Sequence, residues 1–397
     1  MTKLATFQRR TVEVALDRLE AQGPRRFLVA DEVGLGKTII ARSVAEGLRK
    51  RRRSLNVMYL CPSLEIVGQN RLKFVSLTGK SEKDYNPGED RLALVPGSLP
   101  DEGNGYRIYT FTPETSLPGW KQGPRTGRKA ERALIRKLLD RYPRIKAKAL
   151  DLDKKHSAKG RKLLDEKARD LNGYTFVALE QALRDVFNCP KGNFETVVVD
   201  WLSHKHIDIG EFIGRFRSIL ALAALRSKKV RPDLIILDEF HRYADLILPK
   251  TADTQDPLKI ERAHVHRLLV EALLGGDMPP AVLLLSATPY RLKRLNGEEM
   301  HPVEHYKALV DLAGFLADDP TKSVEVEQAM RTYHDALKTS GKPSEIRQAV
   351  IAAKSQLEGL LTPLMARTER ALVHEEDLFE RQAPMLDIEA ADLRLFR

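Results

Sequence analysis

The 397-residue sequence predicts an α/β protein with a parallel sheet flanked by helices. The prediction depends on three segments, Val29–Thr38, Leu234–His241 and Leu283–Thr288. In each segment, polar residues directly follow an apolar run that is typical of a buried parallel strand. Because parallel sheets gather ligand groups at the carboxyl ends of their strands, the same segments indicate where a functional site should lie.

Apolar spacing and chain breakers predict the elements of the first half in order. The run through Leu64, Val67, Leu72 and Phe74 has helical spacing. Residues 78–105 are rich in Pro-Gly and Gly-Asn-Gly breakers, which favours a loop. The expected elements are a helix over Thr11–Leu19, a strand over Arg26–Ala30, a helix from Thr38, a strand ending at Cys61, a helix from Leu64 and a strand near Tyr106–Thr112.

The second half alternates in the same way. Residues from about Gly123 to Leu171 are charged and helical in pattern, and Pro143 is expected to break that run. The β-branched run in Thr196–Leu202 predicts a strand. Helices are expected over Ile209–Leu225 and Ile260–Leu274, each before one of the two remaining strands, and region 301–397 is helical by pattern.

The first segment has the form of a phosphate-binding loop. Gly34 and Gly36 permit a turn that points successive N–H groups inward, and the following helix adds its partial positive charge. Lys37 is expected to reach the β- and γ-phosphates of a bound nucleotide, and the hydroxyl of Thr38 to ligate Mg²⁺. Asp31 stands where the general pattern has its first glycine, so an ordinary turn with a surface lysine stays open. The predicted nucleotide-binding residues of the loop are Val33, Gly34, Leu35, Gly36, Lys37 and Thr38.

The other two segments supply groups that the loop lacks. Asp238, at a strand end, is expected to hold Mg²⁺ through water, and Glu239 to polarise the attacking water as general base. The alternative is a strand-to-helix junction with acidic caps. Ser286 and Thr288 are expected to hydrogen-bond towards Glu239 or His241 and so transmit the state of the γ-phosphate. A plain Ser/Thr-capped turn is their alternative.

The order of these segments resembles superfamily 2 helicases and translocases, and the loop Asp31–Thr38 looks most like the Snf2-like branch, in particular bacterial Snf2-type DEAD/DEAH-box helicase proteins. The resemblance covers about residues 5–120 and 195–310. It implies a RecA-like lobe, ATP as the nucleotide, and recognition of adenine by Gln8. It also implies DNA-backbone contacts after two strands, at Pro62, Ser63, Thr112, Pro113 and Thr115.

Charge favours nucleic acid as the partner. The chain carries a net charge of +11, and Lys121–Asp170 alone holds 18 Lys/Arg against 7 Asp/Glu, which is also 18 − 7 = +11. Such a concentration is typical of a surface that binds phosphates. A solvated helical hairpin is the alternative. Aromatic residues are sparse in this segment, so backbone contact to duplex DNA fits better than stacking on single-stranded bases.

Several classes are excluded or disfavoured. No stretch approaches the roughly 20 apolar residues that span a bilayer, and the first residues lack an apolar signal region, which predicts a cytoplasmic protein. The two cysteines, Cys61 and Cys189, cannot form a disulfide framework and lack metal-site spacing. A guanine-specific Asn-Lys-x-Asp string is missing, which disfavours a GTPase that works on protein. A non-hydrolysing module that docks DNA or a partner stays open.

The expected organisation is one ATP-binding lobe over residues 1–300, with a basic helical insert over 116–190, followed by a helical extension over 301–397. Leu364–Arg370 resembles the linker to the second lobe of Snf2-like proteins, and no strand-rich second lobe follows it in the sequence. An upstream segment is also expected. Since a second lobe supplies arginine fingers worth a factor of about 10³–10⁵ in turnover, we expect Mg²⁺-ATP binding with slow unaided hydrolysis.

Overall fold

The computed structural model describes residues 4–75, 77, 90–98, 105–117, 126–157, 162–164, 170–242, 244–247, 255–287, 307–338 and 343–369. The strands are β1 (Arg26–Val29), β2 (Leu55–Leu60), β3 (Tyr106–Phe111), β4 (Leu234–Asp238), β5 (Ala281–Leu285) and β6 (Met365–Ala366). They form one sheet in the order β3-β2-β4-β5-β1-β6, and every neighbouring pair is parallel. The predicted α/β class is confirmed, and the fold is RecA-like.

Helices cover both faces of this sheet. They are α1 (Thr6–Glu20), α2 (Lys37–Arg51), α3 (Leu64–Val75), α4 (Val95–Ser98), α5 (Pro113–Ser116), α6 (Lys129–Leu139), α7 (Pro143–Ser157), α8 (Phe176–Val186), α9 (Phe194–Trp201), α10 (Ile209–Arg226), α11 (Pro257–Leu274), α12 (Lys307–Ala317), α13 (Pro320–Lys338) and α14 (Pro343–Leu361). Most of the predicted helices are therefore confirmed, with bounds a few residues longer.

Alternating side chains of the strands belong to two separate cores. Phe27 and Val29 pack with α1, α2 and α3 on one face, whereas Leu28 and Ala30 pack with α10 and its neighbours on the other. Alternation follows from the two-residue period of a strand, and burial on both faces explains why these strands are apolar throughout. α10 is buried along most of its length, because it lies between the sheet and the outer helices.

The described part of the basic insert does not form a core of its own. Apolar residues of α6, α7 and α8 belong to the same cluster as one sheet face, among them Ile135, Ile145 and Leu183. Its predicted helical character is confirmed, and α7 begins at Pro143 as expected for a residue that interrupts the preceding helix. The insert therefore thickens one helical layer of the lobe.

The strand predicted over Thr196–Leu202 is wrong, because Thr196–Trp201 lies in α9 and Leu202 caps its end. Phe194, Val198 and Trp201 recur at helical spacing, and all three are buried on one side of the helix. The side chain of Asn193 accepts a hydrogen bond from the Glu195 N–H at 3.1 Å, which caps the helix. Tertiary burial and a cap here override the β propensity of three consecutive valines.

One further prediction needs correction, and one further segment contains a strand that the sequence does not predict. Within the predicted loop 78–105, Leu92–Leu94 forms a 3-10 turn that continues into α4, and Leu92 and Val95 are buried. The predicted linker Leu364–Arg370 begins with an edge strand of the sheet, since Leu28 and Ala30 donate backbone hydrogen bonds to Leu364 and Ala366 at 3.0 and 2.7 Å. A two-residue strand that pairs with such a distant part of the chain leaves no periodic signal.

Candidate nucleotide-binding site

The strand register brings the three predicted segments to one edge of the sheet. Val29, the last residue of β1, pairs with Leu285 of β5, and Leu285 also pairs with Asp238 of β4. The phosphate loop, Asp238 and Ser286 therefore emerge side by side at the carboxyl ends of three adjacent strands. This is the position at which an open parallel sheet builds its ligand site.

The phosphate loop has the backbone that its glycines predict. Gly34 and Gly36 have φ of +88° and +79°, in the left-handed region that side chains with a Cβ avoid. Gly36 caps α2, and a Cβ there would lie 2.7 Å from the Nε2 atom of Gln8. The first N–H groups of a helix lack acceptors within it, so Lys37 and Thr38 present donors at this end of α2.

Lys37 lies between the phosphate loop and the end of β4 and is mostly buried, with 9% of its surface exposed. Its ammonium donates to the backbone oxygens of Asp31 and Glu32 at 3.0 and 3.2 Å. Burial lowers the pKa of Lys37, and the negative charges of Glu239, Asp31 and Asp238 oppose that shift. A cation that loop carbonyls hold, and that nearby negative charges favour, is suited to move onto a phosphate group.

The carboxylate pair at the end of β4 combines burial with backbone strain. Asp238 is buried, and burial raises the pKa of its carboxyl group. Glu239 has φ of +52°, which is uncommon for a residue with a Cβ and occurs where the surroundings hold it in place. Its side chain is about one-third exposed, at 32%. Asp238 is thus fixed inside the protein, whereas Glu239 points to where solvent can enter.

The predicted coupling residues meet beside this pair. The Nδ1 atom of His241 lies 2.9 Å from the Oγ atom of Ser286 and 3.5 Å from the Oε2 atom of Glu239. Ser286 is buried, and its N–H donates to the carbonyl oxygen of Val29 at 3.0 Å. The structure thus brings Glu239, His241 and Ser286 together. Thr288, the remaining predicted coupling residue, lies outside the described residues.

Gln8 lies against the phosphate loop, as a nucleotide-reading residue should. Its Nε2 atom donates to the Leu35 carbonyl oxygen at 3.0 Å, and its Oε1 atom accepts from the Ala5 N–H at 3.1 Å. Val33 is 70% exposed at the tip of the loop. Adenine recognition by Gln8 stays a prediction, to which the structure adds a fixed carboxamide beside the loop.

The five residues predicted to contact DNA differ in exposure. Pro62 and Ser63 are half-buried, and the Oγ atom of Ser63 accepts from the Ile66 N–H at 3.3 Å at the start of α3. Thr112, Pro113 and Thr115 are buried in and next to α5. The Oγ1 atoms of Thr112 and Thr115 lie 2.8 Å apart. DNA contact at all five positions stays a prediction. In this structure the two threonines hold their own turn together.

The positive charge of the insert is divided between surface and interior. Lys129, Arg144 and Lys155 are exposed, whereas Arg132 is buried and donates to the carbonyl oxygens of Thr126 and Gly127 at 3.1 and 2.9 Å. The net charge of the segment therefore overstates its positive surface, because part of that charge serves the local fold.

The donor set fits Mg²⁺ that is held together with a nucleotide. Thr38 and Asp238 offer hydroxyl and carboxylate oxygen, the ligands that Mg²⁺ prefers, and Mg²⁺ in nucleotide sites takes only one or two protein ligands. Across the described ranges, no group of three or more His, Cys, Asp or Glu side chains is arranged to hold a metal ion. The residues thus suit a metal that is completed by phosphate oxygens rather than by a protein cage.

Sequence reasoning missed the groups that support this site. Oδ1 of Asp31 accepts from the Thr368 N–H at 2.7 Å, which ties the loop to the segment after β6. The phenol of Tyr59 donates to Oδ2 of Asp238, and Asn70 donates to Tyr59. For Asp31 the sequence did give a signal, because this residue stands where the general phosphate-loop pattern has its first glycine. Tyr59 and Asn70 look like ordinary strand and helix residues, so nothing in the sequence could have marked them.

The amino-terminal part of the chain, which contains the phosphate loop, is similar to a known protein family. Residues 2–115, which include the phosphate loop, match the family model of the type III restriction enzyme res subunit. The match covers less than a third of the chain. No curated protein matches the sequence. The amino-terminal part is similar to a helicase-type ATP-binding domain of superfamily 2, a class that binds nucleotides.

None of the helices in the described part of the chain combines the length and the apolar composition that crossing a bilayer requires.

Proposed function

We propose that this chain is the ATP-binding motor lobe of a Snf2-like DNA helicase or translocase, which couples hydrolysis of Mg²⁺-ATP to movement on DNA. The observation that carries the proposal is the meeting of Lys37, the Asp238–Glu239 pair and the His241–Ser286 pair at one edge of a RecA-like sheet. Each group alone has an ordinary structural explanation. Their convergence matches the set that hydrolysis of a nucleoside triphosphate requires.

The side chains divide the chemistry between them. Lys37 leaves the carbonyls of Asp31 and Glu32 and binds the β- and γ-phosphates, while the N–H groups of the loop hold the phosphate oxygens. Glu239 orients the attacking water and accepts its proton. Mg²⁺, when bound at Thr38 and Asp238, neutralises charge on the phosphate oxygens. Gln8 contacts adenine beside the loop.

Coupling to DNA follows from the contacts of Glu239. His241 lies within reach of both Glu239 and Ser286, so a change at the γ-phosphate is passed to Ser286 and to the strand end of β5. Pro62, Ser63 and the turn around Thr112–Thr115 follow neighbouring strands at the same edge. The exposed cations of the insert add phosphate contacts along a duplex.

Fast turnover requires a second RecA-like lobe or a partner subunit that supplies arginine fingers. The segment after β6 supports a connection between the lobes, because Asp31 holds Thr368 directly beside the phosphate loop. The match to a restriction-enzyme subunit supports an ATP-driven role on DNA, and the Asp31–Thr38 loop favours the Snf2-like branch.

ATP hydrolysis by the purified chain, measured with and without duplex DNA, tests this proposal. We expect tight Mg²⁺-ATP binding, slow basal turnover, and acceleration by DNA once the second lobe is present. Lys37→Ala should abolish the turnover without loss of folding. ATP binding without turnover under any of these conditions would favour the alternative, a non-hydrolysing module that docks DNA or a partner.

A further inference from the structure

A hydrogen-bond chain runs from the exposed Lys73 of α3, through the buried side chains of Asn70 and Tyr59, to the Asp238 carboxylate. Nζ of Lys73 donates to Oδ1 of Asn70 at 3.0 Å, and Nδ2 of Asn70 donates to the phenol oxygen of Tyr59 at 2.7 Å. The phenol in turn donates to Oδ2 of Asp238. The chain begins on a helix of one layer and ends at the end of β4.

The direction of this chain is fixed by its members. An ammonium and an amide NH₂ only donate, so the oxygen of Tyr59 accepts from Asn70 and its single proton is left for the carboxylate. Lys73 also fixes which way the amide of Asn70 points, since its ammonium requires the oxygen side. Every hydrogen bond in the chain is therefore donated in the direction of Asp238. Turning one of these groups around would place two donors or two acceptors opposite each other.

The surroundings hold Tyr59 in place. It is fully buried on β2, next to β4 in the sheet, with Ile236 as its register partner. Its ring lies 4.9 Å from the ring of Phe74 of α3, measured between centroids. A phenol that is packed in this way cannot swing away, so its hydroxyl occupies one place relative to Asp238.

We propose that Tyr59 and Asn70 are positioning residues for Asp238, and that they orient its carboxylate for Mg²⁺ bound with ATP. The inference extends the proposed function, because it assigns the support of the metal site. The plane of a carboxylate rotates easily about its last torsion, and in a buried site water is not available to hold it. The hydrogen bond to Oδ2 fixes that plane. Such supporting contacts are typically worth about 10–100-fold in metal affinity.

The test measures how much Mg²⁺ improves nucleotide binding. The purified 397-residue chain is titrated with ATP that carries a fluorescent label on its ribose, once in Mg²⁺ and once in EDTA. Tyr59→Phe removes only the hydroxyl and keeps the ring against Phe74. We expect the gain in affinity from Mg²⁺ to fall about tenfold in this variant, with affinity in EDTA changed less than about twofold.

Two more variants separate positioning from folding. Asn70→Ala removes the second link, and its Mg²⁺ gain should fall in the same direction by a smaller factor. Tyr106→Phe is the matched control, because Tyr106 lies at the start of β3 and pairs with Leu55, at the opposite end of β2 from Asp238. It should keep the full Mg²⁺ gain. Circular dichroism confirms that each titrated variant is folded.

The results distinguish this inference from the proposed function. A wild-type Mg²⁺ gain in folded Tyr59→Phe or Asn70→Ala would overturn the positioning role, while ATP binding itself persists. Wild-type protein that binds ATP equally in Mg²⁺ and EDTA would overturn it as well, since Asp238 would then hold no metal. Wild-type protein that binds no ATP in either buffer would overturn the proposed function itself.

Discussion

Glu131→Gln should destabilise the protein by about 3–5 kcal/mol, the usual cost of breaking a buried ion pair from one side. Oε1 of Glu131 accepts from Nε of Arg217 at 2.8 Å, and the two side chains are 2% and 1% exposed. The second oxygen accepts from the Arg128 N–H at 2.8 Å. Glutamine keeps the size of the side chain, but it removes the negative charge that pairs with Arg217.

The surroundings of the pair support a value in the upper part of this range. Arg217 also donates to the carbonyl oxygen of Thr115 at 2.6 Å, so its guanidinium cannot move out to solvent without releasing the α5 turn. Glu131 also raises the pKa of Arg91, which burial lowers, so its negative charge stabilises a second buried arginine. Gly127, with φ of +56°, has no room for a Cβ beside Arg217. The site therefore has little freedom to adjust.

Urea unfolding at neutral pH measures this change through the midpoint and the slope. Glu180→Gln is the matched control, because its ion pair with Arg184 is much more exposed and should cost only about 0.3–0.5 kcal/mol. The double variant Glu131→Leu/Arg217→Met should recover most of the loss, since it removes both charges. A loss below about 1 kcal/mol for Glu131→Gln, or no recovery in the double variant, would refute the reasoning.

Three other predictions follow from the site and its surface. Gly36→Ala should destabilise the protein by about 1–2 kcal/mol in thermal unfolding and weaken ATP binding, because φ is +79° and Gln8 leaves no room for a Cβ. The control Gly68→Ala should change neither stability nor ATP binding in this way, because a Cβ there meets open space. Burial raises the pKa of Asp31 above its unfolded value, so folding is favoured most below about pH 4, where the carboxyl group is protonated, and this contribution is lost as pH rises. The stability of Asp31→Asn relative to wild type should therefore increase with pH. An equal difference at all pH values would contradict this. Replacing Arg144, Lys148 and Lys155 of α7 with Gln should weaken duplex binding and reduce the salt dependence of the binding constant by about one phosphate contact per residue. An unchanged salt dependence would exclude this face of α7 as a DNA-binding surface.

The sequence predicted the elements that carry the site because each has a local signal. Gly34 and Gly36 have positive φ as their positions in the loop require, and the apolar runs before Asp238 and Ser286 are buried strands. Register then places these strand ends together, which follows from parallel topology alone. The convergence of Lys37, Asp238 and Glu239 was therefore predictable from short strings.

What the sequence could not predict depends on contacts between distant parts of the chain. α9 is a helix because Phe194, Val198 and Trp201 find a core, although three valines favour a strand. β6 pairs with β1 only because the chain returns to the sheet edge after α14. The support of Asp238 by Tyr59 joins β2 to β4 through side chains, and neither residue type indicates such a role by itself.

Calorimetric titration of the purified chain with Mg²⁺-ATP, beside Lys37→Ala, tests the central claim most directly. The ammonium of Lys37 is held by the carbonyls of the phosphate loop and is the cation proposed to bind the phosphates, so its removal should abolish binding while the fold is kept. Saturable binding by wild type and none by Lys37→Ala would confirm the nucleotide site. Equal binding by both proteins, or none by wild type, would contradict it.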